Sequence, residues 1–369
     1  MAAALAAAGH EVLLACGRYQ GAVTGLEGAP RSPWREGRVG GVTVREYAID
    51  CGNAQGLAAR SLAFLRFAAA TTRLALGQRF DVILASSTPL TVAIPALLAR
   101  RLRGTRFIFE VRDPWPELPA ALGGVPRPAL AAMRALADAA YRRASLVIGL
   151  TEGMAALATS RGATRVAVLP QAADPAIATA PPWRPPGTEG LILAIQAGAM
   201  GPANGLDIVL DASAELRGAN ILILLAGEGR ERTRLAQRIA AESLPVRLLD
   251  PMPKARLAGL LRGADIGLLC LAPVPDFAEW TAPNKLEDGL AAGLPMVVNV
   301  PGRAARRVEG AGLAVPPGDP GALAAALSRL AAEPELRASY AAAARARAVS
   351  AEAVAARLPP LLEAACRTY

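Results

Sequence analysis

The stretch LILAIQAGAMGPANGLD, residues 191–207, decides the fold class of this 369-residue chain. Its apolar start is typical of a buried strand, a glycine-containing loop follows, and a helix can begin at its end. Similar apolar runs recur along the chain: EVLLAC (11–16), DVILAS (81–86), RFIFEV (106–111), SLVIGL (145–150), NILILLAG (220–227), PVRLLD (245–250), DIGLLCL (265–271) and PMVVNV (295–300). Segments with helical spacing separate many of them, which predicts an α/β fold with parallel sheets covered by helices on both faces.

Two domains are expected, because one hydrophobic core rarely serves a chain of this length. The segment TAPPWRPPGTEG (179–190) is too rich in proline for a regular element, and the strand–helix rhythm restarts after it. We therefore predict two doubly wound, Rossmann-like domains at 1–180 and 190–345, and a helix at 346–369 that packs back toward the first domain. Ligands of open parallel sheets bind beyond the carboxyl ends of the strands, so we expect the site in a cleft that both domains face.

Composition argues against several classes of protein. His10 is the only histidine and the 4 cysteines show no CxxC spacing, which disfavours a Ser–His dyad and a multi-histidine metal site. No apolar run is typical of a transmembrane helix, and the start is not typical of a secretory signal, so we expect a cytoplasmic protein. Aromatic residues are only 4% of the chain and no known nucleic-acid-binding module is present, which disfavours nucleic-acid binding.

The net charge of +9 comes mainly from the first half of the chain. Such a bias favours anionic membranes or phosphate-bearing partners, although a general preference for arginine explains it equally well. Within this half, the segment 57–80 has leucine and arginine at helical spacing. It predicts either a basic amphipathic helix that lies on anionic lipid or an ordinary surface helix.

Two loops that follow strands carry glycine. AGAMGPANGLD (197–207) and AGEGRER (226–232) each lead into a helix, and glycine lets backbone amides approach a phosphate near a helix N-terminus. Neither loop matches the dinucleotide or P-loop fingerprint. Glycine at a strand-to-helix turn also has a purely steric explanation, so both interpretations stay open.

The stretch EWTAPNKLEDGLAAGLP (279–295) places Glu279 and Glu287 around the start of one helix. Pro283 suits a helix start and Asn284 can cap it. A first-turn glutamate such as Glu287 interacts favourably with the helix dipole, which is one explanation of its position. The other explanation is that the stretch binds a nucleotide sugar. Glu287 would then accept hydrogen bonds from the ribose diol and Glu279 from a second sugar, while the backbone amides between them and Lys285 would face the diphosphate.

This stretch resembles the E-x7-E signature of family 4 glycosyltransferases, which have the GT-B fold. Two further segments, FEVRDPWPE (109–117) and AGAMGPANGLDIVLDA (197–212), are similar to those of the branch that builds bacterial surface polysaccharides. GEGRER, LLRGADIGLLCL and GLAVPPGDPGALAAAL (312–327) follow in the order expected of that family. The resemblance covers nearly all of residues 9–345.

The resemblance implies that the chain transfers a sugar from a nucleotide donor, a UDP-sugar, with retention at the anomeric carbon and without a metal or a separate cofactor. The implied acceptor is a glycan or a polyprenyl-diphosphate-linked sugar at the inner membrane face. Glu279 would contact the transferred sugar, Lys285 would face the diphosphate, and Asp113 is the polar candidate at a strand end of the first domain. The implied donor-binding residues are Glu287 at the ribose, Gly198, Gly201 and Asn204 near the phosphates, Gly227, Glu228, Gly229, Arg230 and Met252 at the nucleoside, and Asn284 and Leu286 at the helix start.

The sequence departs from the family in two places. Relatives carry an arginine and a lysine in the loop that matches 198–205, whereas this loop has no cation, and Lys285 or Arg230 would have to compensate. Relatives also begin with a strand and a glycine-rich loop, which predicts that the first domain here lacks its first strand and that catalysis is impaired. One alternative is therefore a non-catalytic nucleotide-sugar-binding partner. Another is a nucleotide-sugar 2-epimerase, which has the same two-domain design.

Overall fold

The computed structural model describes residues 1–19, 24–29, 32–52 and 55–367. The chain forms two compact units, one of Met1–Pro170 with Glu352–Tyr369 and the other of Gln171–Ala351. The division falls at residue 170, closer to the N-terminus than the boundary at 180 that the sequence suggested. No helix in the described ranges has the length and apolarity that a membrane span requires.

The first unit contains a three-stranded and a four-stranded sheet, with strand orders β1-β3-β2 and β4-β5-β6-β7. The strands are β1 (Leu13–Tyr19), β2 (Trp34–Val39), β3 (Val42–Cys51), β4 (Val82–Ser87), β5 (Arg106–Val111), β6 (Leu146–Gly149) and β7 (Val166–Val168). In the four-stranded sheet every pair is parallel, as predicted. Within the described part of the chain β1 and β4 each end a sheet, and the predicted absence of a first strand stays a prediction.

The hairpin of β2 and β3 is an antiparallel element that the sequence analysis did not anticipate. Gly40 and Gly41 form its two-residue turn with φ angles of 56° and 82°. Positive φ at both central residues is the requirement of a type I′ turn, which matches the twist of the flanking strands. In β2 every second residue is exposed, so this strand lacks the continuous apolar run that marks the others.

Helices cover both faces of the first unit. They are α1 (Ala2–Ala7), α2 (Leu57–Gly77), α3 (Ala93–Arg103), α4 (Glu117–Leu122), α5 (Arg127–Arg143), α6 (Glu152–Ser160) and, from the C-terminus, α16 (Ala351–Arg367). Leu358 and Leu362 of α16 are buried against Ile108 and Ile148 of the four-stranded sheet. Phe109 points to the opposite face, where its ring meets that of Tyr141 edge to face. The alternation of residues along β5 thus serves two cores.

The second unit is built on one six-stranded parallel sheet with the order β10-β9-β8-β11-β12-β13. Its strands are β8 (Ile192–Ala197), β9 (Ile221–Ala226), β10 (Val246–Leu249), β11 (Ile266–Leu269), β12 (Met296–Val298) and β13 (Gly312–Ala314). Its helices are α7 (Ala176–Thr179), α8 (Leu206–Glu215), α9 (Arg232–Glu242), α10 (Lys254–Gly263), α11 (Phe277–Trp280), α12 (Asn284–Ala292), α13 (Arg303–Val308), α14 (Pro320–Ala332) and α15 (Pro334–Arg347). This is the doubly wound arrangement that the sequence predicts.

The strand order of the second unit reverses between β8 and β11. The chain winds outward from β8 to β10 and then returns to place β11 beside β8. Loops that leave two such strands diverge and open a crevice at their carboxyl ends, which is where doubly wound sheets bind ligands. The topology therefore directs attention to the loops that follow β8 and β11.

The proline-rich segment 179–190 lies within the second unit and packs on α10. The amide of Trp183 donates to the carbonyl of Gly259 at 2.8 Å. A Cβ at Gly263 would lie only 2.2 Å from the Trp183 carbonyl oxygen, so the helix needs glycine where this segment crosses it. The prolines thus end the regular structure, but they do not separate the two units.

Candidate functional site

Buried amide side chains join the strand ends at the carboxyl edge of the second sheet. Gln196, near the end of β8, exchanges two hydrogen bonds with the backbone of Cys270: it accepts from the Cys270 amide at 2.9 Å and donates to the Cys270 carbonyl at 3.2 Å. Asn299 makes the same pair of bonds with Leu271, at 2.8 and 2.9 Å. Both side chains are at most 4% exposed. They extend the β8–β11 and β11–β12 pairing beyond the strands and hold the loops of the crevice in place.

The two glycine loops interlock. The Gly198 amide donates to the Ala226 carbonyl at 2.9 Å, and the Met200 amide donates to the Glu228 carbonyl at 2.7 Å. A Cβ at Gly227, whose φ is 145°, would lie 2.0 Å from the Gly198 carbonyl oxygen. This close approach is the steric explanation for glycine at 227, and Gly229 has a similar one, because its Cβ would lie 2.2 Å from the Met200 carbonyl oxygen.

The turn after Gly198 presents Asn204 to α12. Residues Pro202–Asn204 form a single 3₁₀ turn, in which the Asn204 amide donates to the Gly201 carbonyl at 2.9 Å. The Asn204 Oδ1 then accepts a hydrogen bond of 2.6 Å from Lys285 Nζ. The predicted donor-binding positions 201 and 204 thus lie together with Lys285, while Glu228 and Arg230 of the neighbouring loop are exposed and Met252 is half-buried.

Lys285 supplies a cation to a loop that has none of its own. A Cβ at Gly198 would lie 3.7 Å from Lys285 Nζ, so the ammonium sits against the loop backbone. Burial lowers the pKa of Lys285 to about 8. Among the described residues no carboxylate forms an ion pair with this ammonium, whose hydrogen bond to Asn204 is neutral at the acceptor. A desolvated cation in this state gains from an anionic ligand.

A cavity of about 230 Å³ lies under α12, between that helix, α10 and strands β8 and β11. Apolar side chains and glycines line most of it, and its polar lining comes from Asn284, Lys285 and Asp288. Asp288 Oδ1 accepts a hydrogen bond of 2.8 Å from the Asp174 amide. Burial, with a smaller contribution from the neighbouring Asp174 charge, raises the pKa of Asp288 to about 6.

The carboxylate of Glu287 is enclosed by its neighbours, and its predicted role at the ribose stays a prediction. Glu287 is 1% exposed, and both of its oxygens accept hydrogen bonds from Arg307, at 3.1 and 2.8 Å. It does not line the cavity, whereas the next residue, Asp288, does. Successive residues of a helix point about 100° apart, so only one of two adjacent carboxylates can face the cavity.

Glu279 lies on α11 and is held by Arg306, the residue that precedes Arg307 on α13. Arg306 donates to both Glu279 oxygens, at 3.0 and 2.9 Å, in an exposed contact. The start of α12 also differs from the prediction: Pro283 occupies the N-cap and Asn284 is the first helical residue. Leu286 is fully buried, and its amide donates to the Pro283 carbonyl.

In the first unit, Asp113 lies where β4 and β5 end. Thr88 Oγ1 donates to Asp113 Oδ2 at 2.8 Å, and burial raises the pKa of the Asp113 carboxyl. Glu110, near the end of β5, is 2% exposed, and its Oε2 has no hydrogen-bond partner among the described residues. The predicted residue Asp113 therefore lies beside other polar residues, Thr88 and Glu110, near the ends of β4 and β5.

Two family models match consecutive parts of the chain. Residues 1–172 match one described as a glycosyl transferase 4-like domain, and residues 192–333 match one described as glycosyl transferases group 1. The chain belongs to the family 4-like glycosyltransferases of the GT-B fold. A search of curated protein sequences gave no match.

Solved structures resemble the glycosyltransferase over almost its whole length. Sucrose-phosphate synthase from Thermosynechococcus elongatus is 18% identical with a TM-score of 0.77, covering 98% of this chain and 91% of its own. Anabaena HepE in complex with UDP-glucose is 18% identical with a TM-score of 0.65, covering 85% of each chain. The E. coli trehalose-6-phosphate protein bound with UDP-2-fluoro glucose is 16% identical with a TM-score of 0.67, covering 100% of this chain and 95% of its own. At these identities the likeness shows the fold.

Sequence reasoning missed four residues of this site: Asp288, Arg303, Arg306 and Arg307. The signal for Asp288 was present, because Lys285 and Asp288 are three positions apart and share a helix face. Nothing local links the arginines to the carboxylates, since α13 follows a separate strand and meets α11 and α12 only in the folded unit.

Proposed function

We propose that this glycosyltransferase uses a nucleotide-sugar donor, a UDP-sugar, whose diphosphate binds at Lys285 and Gly198. The observation that carries the proposal is the partly buried ammonium of Lys285, which lies at the strand-order reversal without a carboxylate partner among the described residues. An anion there would give the ammonium a charged acceptor, whereas the Asn204 oxygen that it contacts now is uncharged. Structural neighbours that are complexes with UDP or UDP-glucose support the choice of donor.

The nucleoside then extends into the cavity under α12, with Asp288 as the carboxylate for the ribose hydroxyls. Asp288 lines this cavity and is three positions from Lys285 on the same helix, so one helix face carries both groups. A carboxylate accepts hydrogen bonds from two vicinal hydroxyls, which fits a ribose. We assign this role to Asp288 in place of Glu287, whose oxygens are occupied by Arg307.

We propose that the transfer is metal-independent and retaining. The bond between the anomeric carbon and the diphosphate oxygen breaks, a bond to an acceptor hydroxyl oxygen forms, and the hydroxyl proton leaves with the diphosphate. Lys285 stabilises the negative charge that develops on the leaving oxygen. Glu279, half-exposed on α11, contacts the transferred sugar after sharing or releasing its hydrogen bonds to Arg306.

For the acceptor we propose a glycan or a polyprenyl-diphosphate-linked sugar at the cytoplasmic face of a membrane, with Asp113 as the acceptor-side residue. The helix α2 supports the membrane part of this proposal. Its exposed stripe carries Leu62, Leu65, Arg66 and Arg73, and the two leucines are 50% and 57% exposed. Leucines flanked by arginines on one helix face suit insertion into an anionic interface.

Calorimetry with UDP, GDP and ADP tests the donor site. We expect UDP to bind the intact chain in the micromolar range of typical substrates and to release heat, whereas Lys285→Met weakens binding about tenfold or more. If Lys285→Met binds UDP as tightly as the intact chain does, the diphosphate lies elsewhere. Release of UDP from a UDP-sugar in the presence of acceptor separates a transferase from a binding partner without catalysis.

A further inference from the structure

The residues around α13 form an ion cluster with more cations than anions. Three guanidiniums, of Arg303, Arg306 and Arg307, meet two carboxylates, of Glu279 and Glu287. Arg306 takes both oxygens of Glu279, and Arg307 takes both oxygens of Glu287. The cluster therefore retains one positive charge that its own carboxylates do not neutralise in a close pair.

The third cation is Arg303, whose ion pair with Glu287 is longer than the two pairs formed by Arg306 and Arg307. The Glu287 oxygen that forms an ion pair with the Arg303 guanidinium is 3.8 Å away, beyond hydrogen-bond distance. The side chain is only 19% exposed, and the loss of hydration lowers the pKa of Arg303 although the Glu287 charge opposes this shift. A guanidinium carries five N–H donors in a planar fork, and a buried one is costly without a matching anion.

Arg303 lies along the edge of the sheet toward which a donor sugar would extend from the proposed phosphate site. The proposed phosphate site lies at β8 and β11, and Arg303 follows β12, the next strand along the same carboxyl edge. It is adjacent to Gly302, where a Cβ would lie 2.6 Å from Glu279 Oε1, so Arg303 starts beside the carboxylate proposed to contact the sugar. A donor with its nucleoside under α12 and its diphosphate at Lys285 thus extends its sugar toward Arg303.

We infer that Arg303 binds a carboxylate on the transferred sugar and that the donor is a nucleoside-diphosphate hexuronic acid. This inference rests on the proposed donor site. A carboxylate matches the guanidinium fork with two parallel hydrogen bonds, which a neutral hexose hydroxyl does not provide. The other anion that could satisfy Arg303 is the donor's own β-phosphate, and the experiment below separates the two.

Calorimetry with UDP, UDP-glucose and UDP-glucuronate on the intact chain tests the inference. We expect UDP-glucuronate to bind about tenfold more tightly than UDP-glucose, since a bidentate pair with a carboxylate replaces a contact with an uncharged hydroxyl. We expect Arg303→Gln to abolish this preference and to leave UDP affinity within about twofold. Arg329→Gln, which removes an exposed arginine that is 53% accessible on α14, is the matched control and should change neither value.

Three outcomes would overturn the inference. Equal affinities for the two sugars, together with normal UDP binding, exclude a carboxylate-binding role for Arg303 and leave the proposed donor site standing. A loss of UDP affinity in Arg303→Gln as large as the loss for UDP-glucuronate assigns the arginine to the β-phosphate. Absence of UDP binding to the intact chain removes the proposed donor site and the inference with it. The comparison of the two sugars needs no variant, so it holds even if Arg303→Gln does not fold.

Discussion

Lys285 Nζ donates a 2.6 Å hydrogen bond to Asn204 Oδ1 across the crevice where the strand order of the second unit reverses. The two residues are far apart in sequence, on α12 and on the turn after β8. Asn204 stands near the position at which family members are expected to carry a lysine. Lys285 on the facing helix therefore provides a cation at this edge of the sheet.

Removal of the Lys285 ammonium should have different effects on the free energy of unfolding and on UDP affinity. We expect Lys285→Met to keep or raise the free energy of unfolding, because burying an ammonium is costly, while UDP affinity falls by about 1.5–3 kcal/mol. Urea denaturation and calorimetry on the same preparation measure the two quantities. A variant that binds UDP normally, or that unfolds at much lower urea with no change in binding, contradicts the assignment. Arg329→Met is the surface control.

Asp288 should make stability depend on pH. Its pKa in the folded chain is about 6, above the ordinary 3.8, so its contribution favours the fold at low pH and is lost as pH rises through about 6. We expect Asp288→Asn, which retains the acceptor for the Asp174 amide, to be more stable than the intact chain at about pH 8, by about 2 kcal/mol.

The matching measurement is urea unfolding of both proteins at about pH 8 and about pH 4. The difference should shrink at about pH 4, because the carboxyl is then protonated in the folded chain and partly protonated in the unfolded chain. A difference that is equal at the two pH values would contradict the assignment of the effect to ionisation. Asp276→Asn, on an exposed loop position, is a control that should show no such dependence.

The neighbouring arginines of α13 should differ sharply in their contribution to stability. Arg307→Met leaves the carboxylate of Glu287, which is 1% exposed, without its bidentate partner, and we expect a loss of about 3 kcal/mol. Arg306→Met breaks an exposed pair with Glu279, and we expect a loss below about 1 kcal/mol.

Each of the two arginine variants is the control for the other, because the two residues are adjacent and each substitution removes one guanidinium. Adding Glu287→Gln to Arg307→Met should recover a large part of the loss, because the unpaired charge is removed. Equal losses for the two single variants in urea unfolding would show that Glu287 is not held as described.

The exposed stripe of α2 should govern attachment to membranes. We expect the chain to sediment with vesicles that contain anionic lipid, and we expect Leu62→Ser with Leu65→Ser to reduce the bound fraction several-fold, as lost apolar burial of about 1 kcal/mol or more per leucine implies. Leu122→Ser, at another exposed leucine, is the control. Sedimentation of the double variant equal to that of the intact chain would exclude α2 as the attachment face.

Much of the architecture could be predicted because buried parallel strands are continuous apolar runs. RFIFEV at 106–111 coincides with β5, and the runs at 191–198 and 220–227 contain β8 and β9. WREGRV, the sequence of β2, contains three charged residues and a glycine at the edge of its sheet and carries no such signal. Its best local clue was the pair Gly40–Gly41, which takes the positive φ angles of a tight hairpin turn.

The site was predictable as a region and less so as a set of side chains. The helix start at 283–287 and the glycine loop at 198–205 do meet at the carboxyl edge of the sheet. Which of Glu287 and Asp288 faces the cavity depends on the rotation of α12, and that rotation is set by packing against α10 and α15. Tertiary contacts of this kind have no signature in a local stretch of sequence.

A crystal structure of the chain with UDP tests the central claim most directly. The account predicts a phosphate oxygen within hydrogen-bond distance of Lys285 Nζ, the ribose hydroxyls on the Asp288 carboxylate, and the pair of Glu287 with Arg307 unchanged. A ribose held by Glu287 with Arg307 displaced, or a diphosphate remote from Lys285, would contradict it.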